Sequence, residues 1–332
     1  MARIILKISF STINKVRLRI CICCNMSWLF IAILGYFLLA LVFILDKLIL
    51  TKSVGKPAVY TFYSTIFLFG AVFIFPLVGF EALRGIDWLW AFVSGIAFGL
   101  ALWTLFIAVK KGEASHINPF NGAAITVGIY LLASFFLGEQ LTALQQFGLV
   151  VLVLASLILS FGEKTKNHNG MHIGFLWALI SGLLFAVSHV SAKYLYALYP
   201  FWTGFLWTRA TTGFVGLFLL LLPSVRRVVF SHNEKKNKKS KTNGKKYAAV
   251  LVVCDKILSV ASAVLIQLAA AIGSVTIVGA MGGLQYALLF VFIYILTKTH
   301  PHIFKEYFTK KEITLEIIAI ALIILGSAMF VL

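Results

Sequence analysis

Apolar stretches close to 20 residues long recur from residue 28 to the end of the chain, separated by short polar or Gly- and Pro-bearing breaks. A helix rising about 1.5 Å per residue needs some 20 apolar residues to cross a hydrocarbon core about 30 Å thick. The pattern predicts ten transmembrane helices, at about 28–50, 58–80, 88–109, 117–137, 144–161, 173–197, 201–223, 247–271, 276–297 and 313–332. The runs are continuous rather than alternating, which argues against a transmembrane β-barrel. The fold class expected is all-α, a polytopic membrane protein with the lipid bilayer as its first partner.

Composition agrees. Of 332 residues, 61% are hydrophobic and 12% charged, whereas soluble domains are about half apolar and a quarter charged. Lys and Arg outnumber Asp and Glu by 29 to 11. The basic residues stand between apolar spans, where they orient a protein against the cytoplasmic leaflet. No basic patch interleaved with stacking aromatics suggests nucleic acid. Of the four cysteines, Cys21, Cys23 and Cys24 crowd the N-terminal segment and Cys254 lies in a span. They lack metal-ligand spacing, so no metal site and no cofactor is expected.

Residues 1–27 form an N-terminal extension with Arg3, Lys7, Lys15, Arg17 and Arg19 among short apolar groups. Met26-Ser27-Trp28 stands directly before the first span, and Met26 is the expected natural start. The segment Ser231–Lys246 is polar and Lys-rich. With nothing to bury, it is expected to be a solvated loop.

The halves align as an internal repeat, 28–162 on 173–332. At an offset of 146, Ala32 falls on Ala178, Lys47 on Lys193, Thr65 on Thr211 and Gly70 on Gly216. From the third span the offset is 161, placing Ala108 on Ala269, Gly112 on Gly273 and Gly122 on Gly283. The change of 15 residues is about the length of the Lys-rich segment. Five spans per half is an odd number, so the second half enters the membrane from the opposite face. Such inverted repeats are associated with alternating access around a midplane site.

The run Leu137-Gly138-Glu139-Gln140-Leu141-Thr142, the exit Lys111-Gly112-Glu113-Ala114-Ser115 and Pro119 at the fourth span resemble the EamA-like family of the drug/metabolite transporter superfamily. The resemblance covers residues 28–332 and implies two five-helix repeats, export of a small molecule and cytoplasmic termini. The second half departs from the pattern: Ala280 stands opposite Pro119, and Thr299-His300-Pro301 replaces the expected Gly-Glu.

Ionisable groups inside the spans are the candidate chemistry, since each costs at least about 2.5–3.5 kcal/mol at mid-bilayer. Asp46, Lys47, Asp255 and Lys256 share a depth and are expected to form a charge network between the first and eighth spans. Toward the other face, Lys193 and Arg209 have Glu139 as their expected internal anion. Two cations with one carboxylate leave a positive surplus that could hold a carboxylate or phosphate. The alternative is that Lys193 snorkels and Arg209 pairs with Glu139 or helix-end carbonyls. His189 lies on the face of Lys193, and facing a cavity it would suit proton coupling. Asn118, Asn121, Gln267, Gln285 and Tyr286 complete the polar set. The Ile117–Gly122 run and its repeat equivalent Val278–Gly283 are expected to loosen the helices. Trp103, Trp202 and Trp207 could stack on a substrate, with Trp202 the better interfacial anchor.

Motifs for nucleophilic hydrolysis, phosphate cradling and zinc proteolysis are absent,. The function expected is a secondary transporter, not an enzyme, acting on a small organic molecule of anionic or amphiphilic character. A nucleotide-sugar or sugar-phosphate exchanger, and a membrane-embedded lipid-processing enzyme or scaffold, are the alternatives. A prokaryotic source would place it in the cytoplasmic membrane. Charge contradicts the family on orientation: loops after odd-numbered spans carry 19 Lys and Arg, the opposite loops only Arg84. On charge, the odd-numbered loops are cytoplasmic and both termini lie outside.

Overall fold

The computed structural model describes residues 27–53, 57–70, 73, 76, 81–111, 114–161, 171–230, 242–299 and 310–330; the side chains at 46–53, 114–115, 161, 171–172, 229–230, 242–253 and 310–312 are not described. Residues 1–26, and with them the expectation about Met26, lie outside the described residues.

The described chain is helical almost throughout, with no strand. The helices are α1 Ser27–Ser53, α2 Pro57–Phe69, α3 Asp87–Lys111, α4 Ala114–Leu132, α5 Ala143–Phe161, α6 Met171–Leu198, α7 Phe201–Leu219, α8 Pro223–Phe230, α9 Thr242–Ile272, α10 Val275–Ala280, α11 Gly283–Thr299 and α12 Lys310–Ala328. A π-helical turn, Ala133–Leu137, extends α4. Among the described residues, seven stretches are long and apolar enough to cross a membrane, with α10 and α11 together supplying one. The molecule is an all-α, multi-pass membrane-type protein. α7, which carries Arg209, has 19 residues but is not among the seven, and α2 and the apolar part of α12 are shorter.

Three sequence expectations are corrected here. The Lys-rich segment does not remain a loop to residue 246, because α9 begins at Thr242; residues 231–241 lie outside the described residues. The seventh span ends at Leu219, and a turn at Leu220–Leu222 leads to α8, whose start at Pro223 fits proline at a first helical position,. Ile117–Gly122 does not open a helix, since α4 begins upstream and runs through Pro119. Its counterpart behaves as expected: the chain turns at Met281 and Gly282 between α10 and α11.

Large apolar side chains cover much of the outer surface, and small hydroxylated residues lie between the helices inside an otherwise apolar core. Phe30, Phe67, Phe135, Phe147, Leu221 and Ile324 are exposed, while Ser94, Ser181, Ser188, Thr208, Thr211 and Thr212 are buried. Small and hydroxylated residues let helices approach and bond across the contact. Ser94 Oγ donates to the Ser188 carbonyl at 2.9 Å, and Ser181 Oγ to the Ala101 carbonyl at 2.8 Å. These two bonds lay α3 antiparallel along α6. Gly35 against Ile266, and Gly273 against Trp28, do the same for α1 and α9. α2 packs antiparallel on α7, and α5 crosses α12 where Gly148 meets the Gly326 carbonyl. A methyl group at Gly148 would stand 2.9 Å from that oxygen. In all four pairs, one helix precedes the segment at 162–170 and its partner follows it.

Candidate functional site

The turns at 81–86, 138–142, 199–200 and 273–274 are tied together at one end of the molecule. Tyr199 donates its hydroxyl to Asp87 Oδ2 at 2.6 Å and accepts the Arg84 backbone N–H at 2.9 Å. Burial and the bond to Asp87 push the Tyr199 hydroxyl above its ordinary pKa, so it stays a proton donor at neutral pH,. Trp207 Nε1 donates to the Glu81 carbonyl at 3.0 Å and its ring meets Trp88 edge-on at 4.5 Å.

The break between α9 and α10 belongs to this end. A helix finishes with carbonyls, and the next begins with N–H groups, that have no partner in their own helix. Lys193 on α6 supplies the donor: its Nζ donates to the carbonyls of Ala270 at 2.6 Å, Ala271 at 3.0 Å and Gly273 at 2.6 Å. The positive charge also suits a helix C-terminus. On the other side, Ser274 caps α10 by accepting the Ile277 N–H at 3.0 Å. Glu139 Oε2 accepts from both the backbone N–H of Thr276 at 3.3 Å and its hydroxyl at 2.5 Å. Glu139 reaches this position because Gly138, with φ +65°, ends the π-turn in the left-handed region that favours glycine,. A shallow cleft of about 370 Å³ lies beside it, lined by Tyr130, Ser134, Gly138, Gln140 and Gln146.

The expectation that Glu139 neutralises Arg209 is therefore corrected: the carboxylate serves α10. Arg209 is 4% exposed, and its Nε has no hydrogen-bond partner among the described residues. No described carboxylate forms an ion pair with it. The guanidinium lies over the Phe98 ring at 4.1 Å and that of Phe205 at 5.4 Å, with Tyr196 adjoining. Desolvated cation–π contacts return about 2 kcal/mol. Against this stands a desolvation cost of several kcal/mol for a buried cation without an ion-pair partner.

Beside Arg209 runs a polar relay. Tyr196 donates to Gln267 Oε1 at 3.2 Å, and Gln267 Nε2 lies 2.8 Å from His189 Nδ1. With Oε1 accepting, Nε2 is the amide donor, so His189 Nδ1 accepts and its proton is on Nε2. Protonating Nδ1 would set two donors against each other, so proton uptake there requires the amide to turn. The His189 ring stacks on Phe185, which meets Phe98 edge-on at 5.4 Å. α3, α6, α7 and α9 together build the site. The close approach of α3 to α7 depends on Gly95, where a methyl group would stand 2.6 Å from the Thr212 nitrogen.

Arg209, His189 and Gln267 of the predicted set are thus together. Lys193 is nearby but committed to carbonyls. Asn121 and Gln285 are buried elsewhere, each with an amide oxygen lacking a partner among the described residues. Asn121 belongs to the α4 face toward α6, and Tyr286 packs on Gly122 and stacks on Phe43. Asn118 is half-buried on α4. Trp103 lies away from Arg209, packed with Val59, Phe62, Val215 and Leu219. Trp202 is 42% exposed, as an interfacial anchor would be,. Asp255 is wholly buried and pairs with its neighbour Lys256 at 3.1 Å, while Lys256 also lies 5.6 Å from the Tyr60 ring. Asp46 and Lys47 lie in α1, but their side chains fall outside the described residues, and so does the expected link between the first and eighth spans. Sequence reasoning missed Phe98, Phe185, Tyr196 and Phe205, because one more aromatic in an aromatic-rich span carries no signal. Thr276, the partner of Glu139, stands opposite Ser115 at the repeat offset of 161 and carries no other signal in the sequence.

No family model matches the chain, and no curated protein matches it. Among solved structures, 29 chains match. One, described only as a protein crystal structure, is 16% identical and superposes with a TM-score of 0.64 over 92% of this chain and 98% of its own. At that identity the likeness carries architecture alone: the chain shares the overall fold of that structure across nearly the full length of both.

Proposed function

We propose that the protein is a secondary transporter that moves a small organic molecule by alternating access, two inverted five-helix repeats rocking about a site at their boundary. The observation that carries this reading is Arg209, a buried cation with no acidic partner among the described residues, set among helices from both halves. The helix pairing supports the repeat. Exchanging α1–α5 with α6, α7, α9, α10–α11 and α12 turns the α1–α9 pair into the α6–α3 pair, and returns α2–α7 and α5–α12 to themselves. The interruption between α10 and α11 supports movement, since a break within an apolar span lets its segments tilt separately. The EamA-like resemblance of the Gly138-Glu139 run points the same way.

The test is flux across proteoliposomes holding the purified full chain, with lipid turnover followed in the same preparation. Saturable, protein-dependent movement of a metabolite without lipid turnover is expected. Lipid conversion with no flux would replace the reading with the enzyme alternative. Orientation belongs to the same proposal: the odd-numbered loops are cytoplasmic, which puts the tied end carrying Lys193 and Glu139 outside. Ser240→Cys, in a background with native cysteines replaced, should stay unlabelled by an impermeant thiol reagent in intact cells. Strong labelling without permeabilisation reverses the orientation.

A further inference from the structure

We infer that the cluster of Phe98, Phe205, His189 and Arg209 binds a small organic monocarboxylate with an apolar or aromatic body, its carboxylate on the guanidinium. The inference rests on the transporter reading for the purpose of the site and on geometry for its chemistry.

Charge comes first. Arg209 keeps its charge at any physiological pH, is 4% exposed, and leaves Nε without a partner among the described residues. A guanidinium so placed is a fork for a carboxylate. The number of charges follows from its neighbours. The Lys193 ammonium is directed at three main-chain carbonyls. Lys256 is paired with Asp255. Among the described residues one buried cation thus remains for a ligand, which matches a monoanion. A sugar phosphate or nucleoside diphosphate would bring at least one further charge with no described cation to meet it.

The body of the ligand follows from the walls. Phe98 and Phe205 present ring faces to the guanidinium, and Phe185 backs both Phe98 and His189. The polar groups alongside are already bonded to one another, Tyr196 to Gln267 and Gln267 to His189. A hydroxyl-rich ligand would find aromatic faces and committed amides. A carboxylate on an apolar frame would find a fork and an aromatic surround.

The experiment is a thermal-shift titration of the purified full chain in mild detergent with benzoate, phenylacetate and hexanoate. Benzamide serves as the uncharged isostere and phenyl phosphate as the dianion. At least one carboxylate should stabilise the wild type, with benzamide binding about 30-fold or more weakly, as expected for a lost charge-assisted pair, and phenyl phosphate more weakly as well, because its second charge has no described cation to meet it. Arg209→Gln should abolish the shift, and Arg209→Lys should weaken it about tenfold by replacing the fork with a point charge. Equal stabilisation by benzamide, a retained shift in Arg209→Gln, or no shift from any of the three carboxylates overturns the inference; the benzamide comparison uses wild type alone and survives a misfolded variant. Carboxylate binding without carboxylate flux would leave this site standing and remove the transporter reading. Flux of a neutral metabolite that Arg209→Gln leaves unchanged would do the reverse.

Discussion

Two cations lie within α6 and α7, and the protein treats them oppositely. Lys193 meets a helix end: three carbonyls that α9 cannot satisfy converge on its Nζ, all within 3.0 Å. Arg209 meets ring faces and has no described carboxylate. The first is a charge consumed by architecture, because the end of α9 leaves carbonyls with no partner in their own helix. The second is a charge the architecture leaves over. Satisfaction by the surrounding backbone, rather than the presence of a charge in the membrane, separates a structural cation from a functional one.

The comparison can be broken first at Lys193. Lys193→Met keeps the length of the side chain and removes the donor, leaving three carbonyls short of a partner. Each orphaned group costs about 1–3 kcal/mol, so a loss of about 3 kcal/mol or more is expected in thermal or denaturant unfolding. Its affinity for a carboxylate probe, measured cold where the variant is folded, should stay within about threefold of wild type. A stable variant that has lost the probe would make Lys193 a ligand-binding residue after all. Arg209→Gln sharpens the contrast from the other side, because stability should hold or rise when an uncompensated charge is removed.

Glu139→Gln should do less. The amide oxygen can still accept from Thr276, and only the charge opposite the start of α10 is lost. About 1 kcal/mol of destabilisation is expected. A loss as large as that of Lys193→Met would mean that Glu139 neutralises a cation instead of capping a helix.

Much of the fold was legible because the bilayer imposes a length and a polarity on every crossing. The starts of α3, α5, α6 and α7 fall within about two residues of the sequence expectation for that reason. α10 and α11 were merged into one span, since Val275–Thr299 is apolar across the break and nothing in its hydropathy marks the turn at Met281 and Gly282. Within the site, Arg209, His189 and Gln267 were visible as polar letters in apolar runs. Their partners were not. A phenylalanine facing a guanidinium and one on the outer surface are the same letter in the sequence, as Phe205 and Phe147 illustrate. Glu139 was found by its motif but given the wrong partner, because Thr276 lies 137 residues away and only the folded chain brings it within bonding distance.

The most direct test is counterflow in proteoliposomes preloaded with unlabelled phenylacetate, recording uptake of the labelled acid by wild type and by Arg209→Gln reconstituted to equal folded amounts. The account predicts a transient, saturable overshoot for wild type and a trace at the protein-free baseline for Arg209→Gln. An overshoot of equal height in both would show that Arg209 has no part in moving the substrate and would contradict the account.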